Sequence, residues 1–518
     1  MIPIRVEHEA GLPIYLQIAR QLSAAIEAGT LAPGDRLPTS RALCMKVGVN
    51  RLTVSRAYRD LIELGLVTSH VGRGTFVAST PRIQASGKES IPPSQSFSDA
   101  PAPDLPLPWG TLFSRTSERA IEGGLPPAAY GATEPGVISF ASLFPDPSLF
   151  PVEPFRAALD GVLRRQGHRI LGYGPPAGYP PLRKMIARNL RSRGMAVTEE
   201  EIVVTSGSQQ GIDLVARALL DPGDVVVVEN PTYTGAVQVF HSYGAQLRGV
   251  PVDQEGVIVP LLEEAVQHRR PKLIYLMPNF QNPTSETMSL RRRRALIDMA
   301  ASRRLAILED DFGGDLRFEG EDLPSLKALD LGGKVIYLST FAKKLLPGLR
   351  IGWIAAPREI AERLVRLKKI TDYSTSLLLQ AALHEFCKQG DLDRHLINVV
   401  ERYRERRDAM LSAMKRAFPP DVLWSRPKGG LVVWVTLPPT VDADEVAEDA
   451  RARGVMVGRG DLFYVDSSTG QNLRLTFSQV TPREIHRGIR VLGDIIKQRI
   501  RTRRAERRAT AGESMPLI

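Results

Sequence analysis

A lysine and an arginine follow one apolar run of the sequence, in the segment STFAKKLLPGLR at residues 339–350. Within it, Thr340 offers a hydroxyl, Lys343 a primary amine and Arg350 a fork of N–H donors that suits phosphate oxygens. Another apolar run, LAILEDD, ends with Asp310. A primary amine condenses with an aldehyde, and a carboxylate stabilises a protonated ring nitrogen. The two segments therefore predict a site for a phosphorylated aldehyde.

A third segment, TSGSQQGIDL at residues 205–214, has the composition of a phosphate-binding turn. Its glycine and small hydroxyl residues lie where an apolar run changes to a helical pattern, so free backbone N–H groups and the helix dipole can hold an anion. Pyridoxal phosphate needs a lysine for imine formation, an acid beside its pyridine nitrogen, and donors around its phosphate. The sequence offers each of these, and we predict pyridoxal 5'-phosphate (PLP) as the cofactor.

Short apolar runs must position these segments. Between about residues 136 and 496, the runs EIVVTSG, DVVVVEN, KLIYLMP, LAILEDD and KVIYLST alternate with helical stretches. This alternation is typical of a buried, largely parallel sheet with crossover helices. In open α/β sheets ligands bind at the carboxyl ends of the strands, where the polar residues of these runs lie. We therefore predict an α/β domain over residues 136–496.

This region resembles the fold type I pyridoxal-phosphate enzymes of the aspartate aminotransferase kind. The resemblance rests on the blocks YGPPAGYPPLR, TSGSQQ, ENPTYTG, QNPTS, EDDF, STFAKK, PGLRIGW and NLRLTF, which occur in this order. It implies a PLP-dependent transferase fold, with a large domain built on a mostly parallel sheet and a smaller C-terminal subdomain.

The resemblance also implies a role for individual residues of these blocks. Lys343 would form the imine with the cofactor, and Asp310 would pair with its pyridinium nitrogen; these are the predicted catalytic residues. Tyr233 would stack on the ring, Asn282 would bind its 3-hydroxyl, and Arg474 would bind the carboxylate of a substrate or effector. The predicted phosphate ligands are Ser208, Gln209, Thr340 and Arg350, with Tyr173 reaching the phosphate of the neighbouring subunit. The plainer alternatives are that Lys343 only ends a strand, that Tyr233 packs in the core, and that Arg474 forms an ion pair.

Two positions depart from the pattern of these enzymes. Phe312 follows EDD where relatives commonly have Tyr, so a hydroxyl expected near the 3-oxygen of the ring is missing. Ser285 stands where Gly is usual. Loss of a hydrogen-bond donor changes the pKa of the imine and weakens the case for efficient turnover, although it leaves imine exchange open.

The first eighty residues have a different pattern. Apolar residues recur at helical spacing in a first helix, at Ile14, Ile18, Leu22 and Ile26. A second short helix is predicted over residues 40–47, and a third over RLTVSRAYRDLIELG, which Asn50 can cap. The predicted apolar face of the third helix consists of Val54, Ala57, Tyr58, Leu61 and Ile62. LVTSHVGRGTFV then predicts a hairpin with a Gly-rich tip, so the region reads as an α+β helix-turn-helix with a wing.

This front pattern closely resembles the winged helix-turn-helix of the GntR family, on the blocks LPTSR, VGVNRLTV and GRGTF. The implied DNA-contacting residues are Arg41, Asn50, Arg51 and Thr53 from the helices and Gly72 or Arg73 from the wing. Among the basic and hydroxyl residues, Arg51 suits a guanine edge, whereas Arg41, Ser55 and Arg73 suit phosphates. The alternative is a three-helix adaptor whose arginines form a solvated face.

Segments of other composition separate and follow these regions. Residues 80–135 are rich in Pro and Ser and lack an apolar period, so we predict a linker between a DNA-binding domain at 12–79 and the cofactor-binding domain at 136–496. Residues 497–518 contain seven basic and two acidic residues, and we interpret them as a solvated tail. The run Arg291–Arg294 is interpreted as the wet face of a helix.

The composition narrows the class of protein. The 518 residues, 43% of them hydrophobic, are typical of a globular chain with more than one domain, and the net charge of +11 favours an anionic partner. Two cysteines are too few for a disulfide framework or a Cys-based zinc site, and we predict no metal. The N-terminus lacks a signal-peptide pattern and no apolar run has membrane-spanning length, so we expect a cytoplasmic protein.

The two resemblances, joined by the linker, match the MocR/GabR-type transcriptional regulators. This match implies a head-to-tail homodimer that binds a double-stranded DNA operator. We hypothesise that the aminotransferase-like domain senses a small amino-compound effector by imine exchange at Lys343. One alternative is a catalytically active aminotransferase with an accessory DNA-binding domain. Another is a sensor of the cofactor itself.

Overall fold

The chain divides into two compact units, residues 1–106 and residues 107–518. The computed structural model describes Ile4 and Val6 and residues 14–49, 51–63, 66–70, 74–78, 109–122, 136–466 and 471–513. Within these ranges, no helix is both long enough and apolar enough to cross a membrane.

The first unit contains three helices and a hairpin, as the sequence predicts. The helices are α1 (Ile14–Glu27), α2 (Ser40–Val47) and α3 (Arg51–Glu63), and the strands are β1 (Val67–His70) and β2 (Gly74–Val77). The strands are antiparallel, with Val67 opposite Val77. Apolar side chains of all five elements form one core, which includes Ile18, Leu43, Val54, Val67 and Val77.

The predicted apolar face of α3 is one residue too wide. Val54, Ala57, Tyr58 and Leu61 are buried, whereas Ile62 is 41% exposed because the first four already fill the stripe that faces the core. The start of α2 has a cap that the sequence pattern did not predict, since the Thr39 side chain accepts the N–H of Ala42 at 3.2 Å. The predicted cap Asn50 lies outside the described residues.

A tyrosine hydroxyl fixes the angle between α2 and α3. The Tyr58 hydroxyl of α3 donates to the carbonyl of Pro38, just before α2, at 2.6 Å. At the other end of α2, Gly48 has a φ of 71° and its N–H bonds to the carbonyl of Cys44. A left-handed glycine of this kind ends a helix and turns the chain sharply. The two helices are therefore held in a tight helix-turn-helix arrangement.

The second unit is built on two sheets. Its strands are β3 (Ile138–Phe140), β4 (Ile202–Thr205), β5 (Val225–Asn230), β6 (Gln246–Asp253), β7 (Gly256–Val257), β8 (Leu273–Leu276), β9 (Ile307–Asp310), β10 (Val335–Thr340), β11 (Gly352–Ala355), β12 (Leu423–Trp424), β13 (Val432–Thr436), β14 (Val455–Arg459) and β15 (Asn472–Thr476). The large sheet has the order β4-β11-β10-β9-β8-β5-β6-β7, and the small sheet has the order β12-β13-β15-β14-β3. The pairs among β6, β5, β8, β9 and β10 are parallel, so the predicted mostly parallel sheet is confirmed.

Helices connect and cover these strands. They are α4 (Trp109–Leu112), α5 (Arg115–Glu122), α6 (Val152–Gln166), α7 (Pro180–Ser192), α8 (Ser208–Leu219), α9 (Thr234–Ser242), α10 (Val259–His268), α11 (Leu290–Arg303), α12 (Leu326–Leu329), α13 (Arg358–Thr371), α14 (Leu377–Lys388), α15 (Asp391–Ala417), α16 (Ala443–Ala452) and α17 (Pro482–Glu513). Every residue of β4, β8, β9 and β10 is buried, as expected for a sheet covered on both faces. The carboxyl ends of β9 and β10 bring Asp310 and Thr340 to one edge of this sheet.

Two segments of low apolar content contain more helix than their composition suggests. The predicted linker includes α4 and α5, and the predicted tail continues α17 as far as Glu513. Arg499 of α17 pairs with Glu445 at 2.9 Å and with Asp449 at 2.7 Å, both on α16. Acidic partners on a neighbouring helix thus support α17 beyond residue 497.

The interpretation of Arg291–Arg294 as a wet face is wrong for half of the run. Arg292 pairs with Asp253, with Nη2 and Oδ2 2.6 Å apart. Arg293 is fully buried and donates to the carbonyls of Met288, Pro278 and Pro324 and to the Asn279 side chain, at 2.6 to 3.0 Å. A buried guanidinium is stable when carbonyl oxygens take its N–H groups.

We expect Arg293→Met to destabilise the second unit by about 3 kcal/mol, because it leaves several buried carbonyls without donors. Thermal unfolding measures the change. Arg294→Met, on the exposed face of the same helix, is the matched control and should change the stability by about 0.5 kcal/mol or less. Equal stability of the two variants would contradict this assignment of Arg293.

Candidate functional site

A cavity of about 470 Å³ lies between the carboxyl edge of the large sheet and the small sheet. Six of the residues predicted from sequence line it: Ser208, Tyr233, Asn282, Asp310, Lys343 and Arg474. They come from five different strand ends and loops of the large sheet and from β15 of the small sheet. The cavity is therefore a convergence of separate elements, as expected at the carboxyl edge of an α/β sheet.

Lys343 lies three residues beyond β10 and points into the cavity. Its Nζ donates to the carbonyl of Leu143 at 2.8 Å. Burial lowers the pKa of the Lys343 amine to about 8; the positive charges of Arg474 and Arg350 act in the same direction and Asp310 acts against them. An amine with this pKa is partly unprotonated near neutral pH, which is the form that attacks an aldehyde.

Asp310 is the last residue of β9 and is buried on the cavity side. The Tyr275 hydroxyl of β8 donates to its Oδ2 at 2.8 Å, whereas its Oδ1 is buried without a hydrogen-bond partner among the described residues. Burial raises the pKa of Asp310 to about 7, and the hydrogen bond from Tyr275 only partly offsets this. A protonated ring nitrogen at Oδ1 would supply the missing partner.

The acids on either side of Asp310 form hydrogen bonds within the protein that stabilise neighbouring elements. Glu309 accepts the N–H groups of Leu326 and Lys327 at 2.8 Å, at the start of α12. Asp311 accepts the Tyr337 hydroxyl at 2.7 Å and the Asn279 side chain at 3.1 Å. Only the middle carboxylate of the EDD block faces the cavity, because side chains alternate along a strand.

Arg474 approaches the cavity from β15. Its Nη2 donates to the carbonyl of Ala141 at 2.5 Å and its Nη1 to Oδ1 of Asn282 at 3.3 Å. Its guanidinium carbon lies 4.7 Å from the centre of the Phe463 ring, and its Nε is buried without a partner among the described residues. No carboxylate of the described chain forms an ion pair with it, which argues against the ion-pair alternative. Arg474 thus remains available for an anionic ligand.

The turn at residues 206–208 has the geometry expected of a phosphate cradle. Gly207 has a φ of 90° and caps α8, so Ser208 begins that helix, whose first N–H groups have no partner within it. A Cβ added at Gly207 would lie 2.6 Å from Nη2 of Arg350, which places this guanidinium beside the helix start. A helix N-terminus and an arginine together can hold a phosphate dianion.

Four predicted cofactor ligands lie outside the cavity lining. Gln209 accepts the Tyr233 hydroxyl at 3.1 Å and donates to the carbonyl of Gly235 at 2.8 Å. The Thr340 hydroxyl donates to the carbonyl of Ile351 at 3.2 Å, so its proton is engaged within the turn. Arg350 lies against the cradle, and Tyr173 is 88% exposed with its ring 5.1 Å from that of Tyr373.

The structure explains three sequence features at the site. Ser285, which replaces the usual Gly, has a φ of 66° and donates its hydroxyl to the carbonyl of Val432. That bond offsets the cost of about 1 kcal/mol for a left-handed residue with a side chain. Phe312 lines the cavity with an apolar ring where a hydroxyl was expected. Lys344 is paired with Asp315, and its Nζ lies 4.8 Å from the Trp353 ring, so it supports the turn from behind.

Sequence reasoning missed two residues of the site. Tyr275, which binds Asp310, reads as part of the apolar run KLIYLMP. The parallel register places Tyr275 opposite Leu308, on the same face of the sheet as Asp310 two residues on, but this register is not visible in the sequence. Phe463 follows a charged loop, and only its contact with Arg474 reveals its role.

The predicted DNA-contacting residues belong to the first unit. Arg41 lies on α2, and Arg51, Thr53 and Ser55 lie on α3; Thr53 is half-buried. The side chains of Arg41, Arg51 and Ser55 lie outside the described part of the chain, as do Asn50, Gly72 and Arg73 entirely. The exposed Arg56 packs on α1, with its guanidinium carbon 4.1 Å from the centre of the Tyr15 ring.

A lysine with a lowered pKa, a buried carboxylate with one unpartnered oxygen, and a helix start beside an arginine fit pyridoxal phosphate. Lys343 would bind its aldehyde, Asp310 its pyridine nitrogen, and the turn at Ser208 its phosphate. These residues, at the edge of a large, mostly parallel sheet that faces a small sheet, define a PLP-dependent transferase fold of the aminotransferase kind.

Comparisons with known proteins agree with this class. The family model described as aminotransferase class I and II matches residues 146–492, and the model for bacterial regulatory proteins of the gntR family matches residues 14–77. The structure of an alpha-aminoadipate aminotransferase from Thermus thermophilus, complexed with N-(5'-phosphopyridoxyl)-L-leucine, superposes with a TM-score of 0.71. It has 35% sequence identity, and the match covers 76% of this chain and 100% of that chain.

Two known proteins are similar to this chain over different lengths: one matches mainly the aminotransferase domain, and the other matches nearly the whole chain. Aromatic-amino-acid aminotransferase 1 from Thermococcus litoralis is 39% identical over 371 residues, which are 70% of this chain and 89% of that protein. The probable rhizopine catabolism regulatory protein MocR from Rhizobium meliloti is 30% identical over 488 residues, which are 94% of each chain. The chain therefore belongs to the MocR-type regulators, in which a GntR-type DNA-binding domain is fused to a PLP-dependent aminotransferase domain.

We expect the reaction of Lys343 with an amine-directed reagent, in cofactor-free protein, to reach half its maximal rate near pH 8. Below that pH the amine is protonated and unreactive. Arg474→Ala removes a neighbouring positive charge, so it should raise the pKa of Lys343 and move the midpoint to higher pH. Mass spectrometry of the labelled peptide measures the rate.

The control for this titration is Arg459→Ala. Arg459 also lines the cavity, but it is paired with Asp444 and Asp461, and it is not among the charges that lower the pKa of Lys343. The midpoint should stay where it is in the unaltered protein. A midpoint at about pH 10 in the unaltered protein, the value of an ordinary lysine, would contradict the electrostatic account of the site.

Proposed function

We propose that this protein is a PLP-dependent transcriptional regulator that senses a small amino compound at Lys343 and changes its DNA binding in response. In this proposal residues 12–79 bind the operator, residues 80–135 connect the domains, and residues 136–496 bind the cofactor and effector. The carrying observation is that Lys343, Asp310 and Arg474 line one cavity in a chain that also has a GntR-type domain.

The cofactor would supply one chemical property, an aldehyde that condenses reversibly with a primary amine, first that of Lys343 and then that of the effector. Asp310 would hold the proton of the pyridine nitrogen, because an ion pair there relieves the buried carboxylate. Arg474 would orient the effector through its carboxylate. Lys343, once displaced, would again be a free amine and could donate to the carbonyl of Leu143, the bond that it makes in the structure.

We further propose a head-to-tail homodimer in which each Tyr173 reaches the cofactor phosphate of the other subunit. The support for this proposal is that Tyr173 is 88% exposed and does not line the cavity of its own chain. A ring pair with Tyr373 holds its side chain outward. The effector can shift the DNA-binding domains only if it has unequal affinity for two states of this dimer.

Lys343→Ala should abolish the visible absorbance of the bound cofactor and the response of DNA binding to amines. DNA affinity without effector should remain. Absorbance spectroscopy and fluorescence anisotropy with the DNA upstream of the gene measure the two effects. Lys344→Arg, which preserves the pairing with Asp315, is the control and should behave like the unaltered protein. A full amine response in Lys343→Ala would refute sensing at this residue.

Arg51→Ala should weaken specific DNA binding by about 1–3 kcal/mol and relax the preference for one base pair, if Arg51 reads a guanine. Arg56→Ala, on the exposed surface of the same helix where the guanidinium packs on Tyr15, should leave the base preference unchanged. Binding to a set of singly substituted operators distinguishes the two variants. If Arg51→Ala weakens binding to all operator sequences equally, Arg51 contacts a phosphate and does not read a base.

A working aminotransferase with an accessory DNA-binding domain is the second candidate. The intact set of Lys343, Asp310 and Arg474 favours it, as does the 39% identity to an aminotransferase. Phe312 weighs against it, because the apolar ring removes a donor from the ring-binding wall. Multiple-turnover amino transfer to a 2-oxo acid would support the enzyme, and amine exchange without turnover would support the sensor.

A further inference from the structure

The cavity extends well beyond the space between Lys343 and Arg474. Its volume of about 470 Å³ also reaches α16 and β14 of the small subdomain. On the proposed function, the effector's amine is bound at Lys343 and its carboxylate at Arg474. The cofactor would take the part lined by Ser208, Tyr233, Asn282 and Asp310, so the remaining substituent on the Cα of an α-amino acid must occupy the part toward α16 and β14.

One wall of this remaining space is the segment 141–144. The carbonyl of Leu143 accepts Nζ of Lys343 at 2.8 Å, and the carbonyl of Ala141 accepts Nη2 of Arg474 at 2.5 Å. The segment is thereby held beside both groups that would bind the effector. The last residue of the segment, Phe144, has its ring centre 5.8 Å from Nζ of Lys343. The effector side chain therefore begins next to an apolar wall.

Apart from its rim, the other walls of the remaining space are apolar as well. The apolar side chains that line it are Leu143, Phe144, Met456, Val457 and Leu462. The Phe463 ring is already occupied by the guanidinium of Arg474. A polar side chain in such a space would lose water without gaining hydrogen bonds, whereas an apolar side chain gains from the same transfer.

The charged side chains that line this remaining space belong to its rim, formed by α16 and the end of β14. Arg459 is neutralised by Asp444 at 2.8 Å and by Asp461 at 2.7 Å. Glu448 and Arg451 lie three residues apart on α16 and carry opposite charges. The rim therefore offers no field of a single sign to a distal carboxylate or ammonium group. Arg451 is the residue that a long dicarboxylic effector would use.

From these observations we propose that the effector is an α-amino acid with a bulky apolar side chain, aromatic or branched aliphatic. The proposal rests on the proposed function, since it assumes amine exchange at Lys343 and carboxylate binding at Arg474. The new element is the chemical class of the effector's side chain, because Lys343 and Arg474 contact only its amine and its carboxylate.

The test uses the full-length, cofactor-loaded protein and titrations with L-phenylalanine, L-leucine, glycine, L-glutamate and L-2-aminoadipate. The visible absorbance of the cofactor, the heat of binding and the change in DNA affinity are followed in parallel. We expect half-saturating concentrations of L-phenylalanine and L-leucine to be at least about 10-fold lower than those of glycine and both dicarboxylic acids, as an additional buried apolar group predicts.

Variants locate the effect in the apolar wall. Met456→Asp should raise the half-saturating concentration of L-phenylalanine about 10-fold or more and change that of glycine little, because glycine has no side chain to meet residue 456. Leu462→Ser is a milder change at the same wall and should act in the same direction. Met185→Asp, at a half-buried methionine of α7, is the matched control and should preserve the ranking of the amino acids.

The outcomes separate the two proposals. If L-glutamate or L-2-aminoadipate binds as tightly as L-phenylalanine, and Arg451→Ala weakens that binding, the rim selects a distal carboxylate and the apolar class is wrong. An equal response to glycine would likewise overturn it, while sensing at Lys343 would stand. If no amino acid or amine changes absorbance, heat or DNA affinity, sensing itself fails, and the effector class fails with it.

Discussion

The site depends on the cost of burying two ionisable side chains, an acid and an amine, which shifts the pKa values of both toward neutrality. Asp310 is buried with one oxygen that has no partner among the described residues, and its pKa rises to about 7. Lys343 is buried near two guanidinium groups, and its pKa falls to about 8. Each cost would disappear on binding a group with a cationic ring nitrogen and an electrophilic carbon. A ligand of this chemistry would give each group a partner, which is the pattern expected of a binding site rather than of a structural ion pair.

Two sheets hold these charges in place. Asp310 ends β9 and Lys343 follows β10, and these two strands are neighbours, parallel and fully buried. Arg474 belongs to the small sheet, whose strands β3 and β15 come from opposite ends of the domain. Arg474 therefore reaches the cavity from a different sheet than the amine and the acid. Such an arrangement makes ligand binding sensitive to the relation between subdomains.

The sequence predicted those features that depend on local pattern. Apolar runs predicted the strands of the large sheet, and the polar residues at their ends predicted where a site would lie, whereas the family resemblance singled out Lys343 and Asp310. Residues that depend on pairing between distant segments were missed: Tyr275 contacts Asp310 only through the register of β8 on β9. Arg293 looked like its three neighbours because burial among carbonyls of other loops leaves no local trace. Ser285 departs from the usual Gly, and only the folded chain shows that its hydroxyl bonds to the carbonyl of Val432 on β13.

Segment 141–144 makes hydrogen bonds both to the charged side chains of the site and to the small sheet. Its carbonyl groups accept Lys343, Arg474 and, through Ser142, the hydroxyl of Thr476 at 2.9 Å. In the proposed exchange, the effector carboxylate would compete with the carbonyl of Ala141 for Arg474, whereas the released amine of Lys343 could donate to the carbonyl of Leu143. The segment directly follows β3, an edge strand of the small sheet. Because a hydrogen bond to a charged donor contributes about 1.5–3 kcal/mol, the gain or loss of one such bond is enough to shift a two-state equilibrium roughly 10-fold or more.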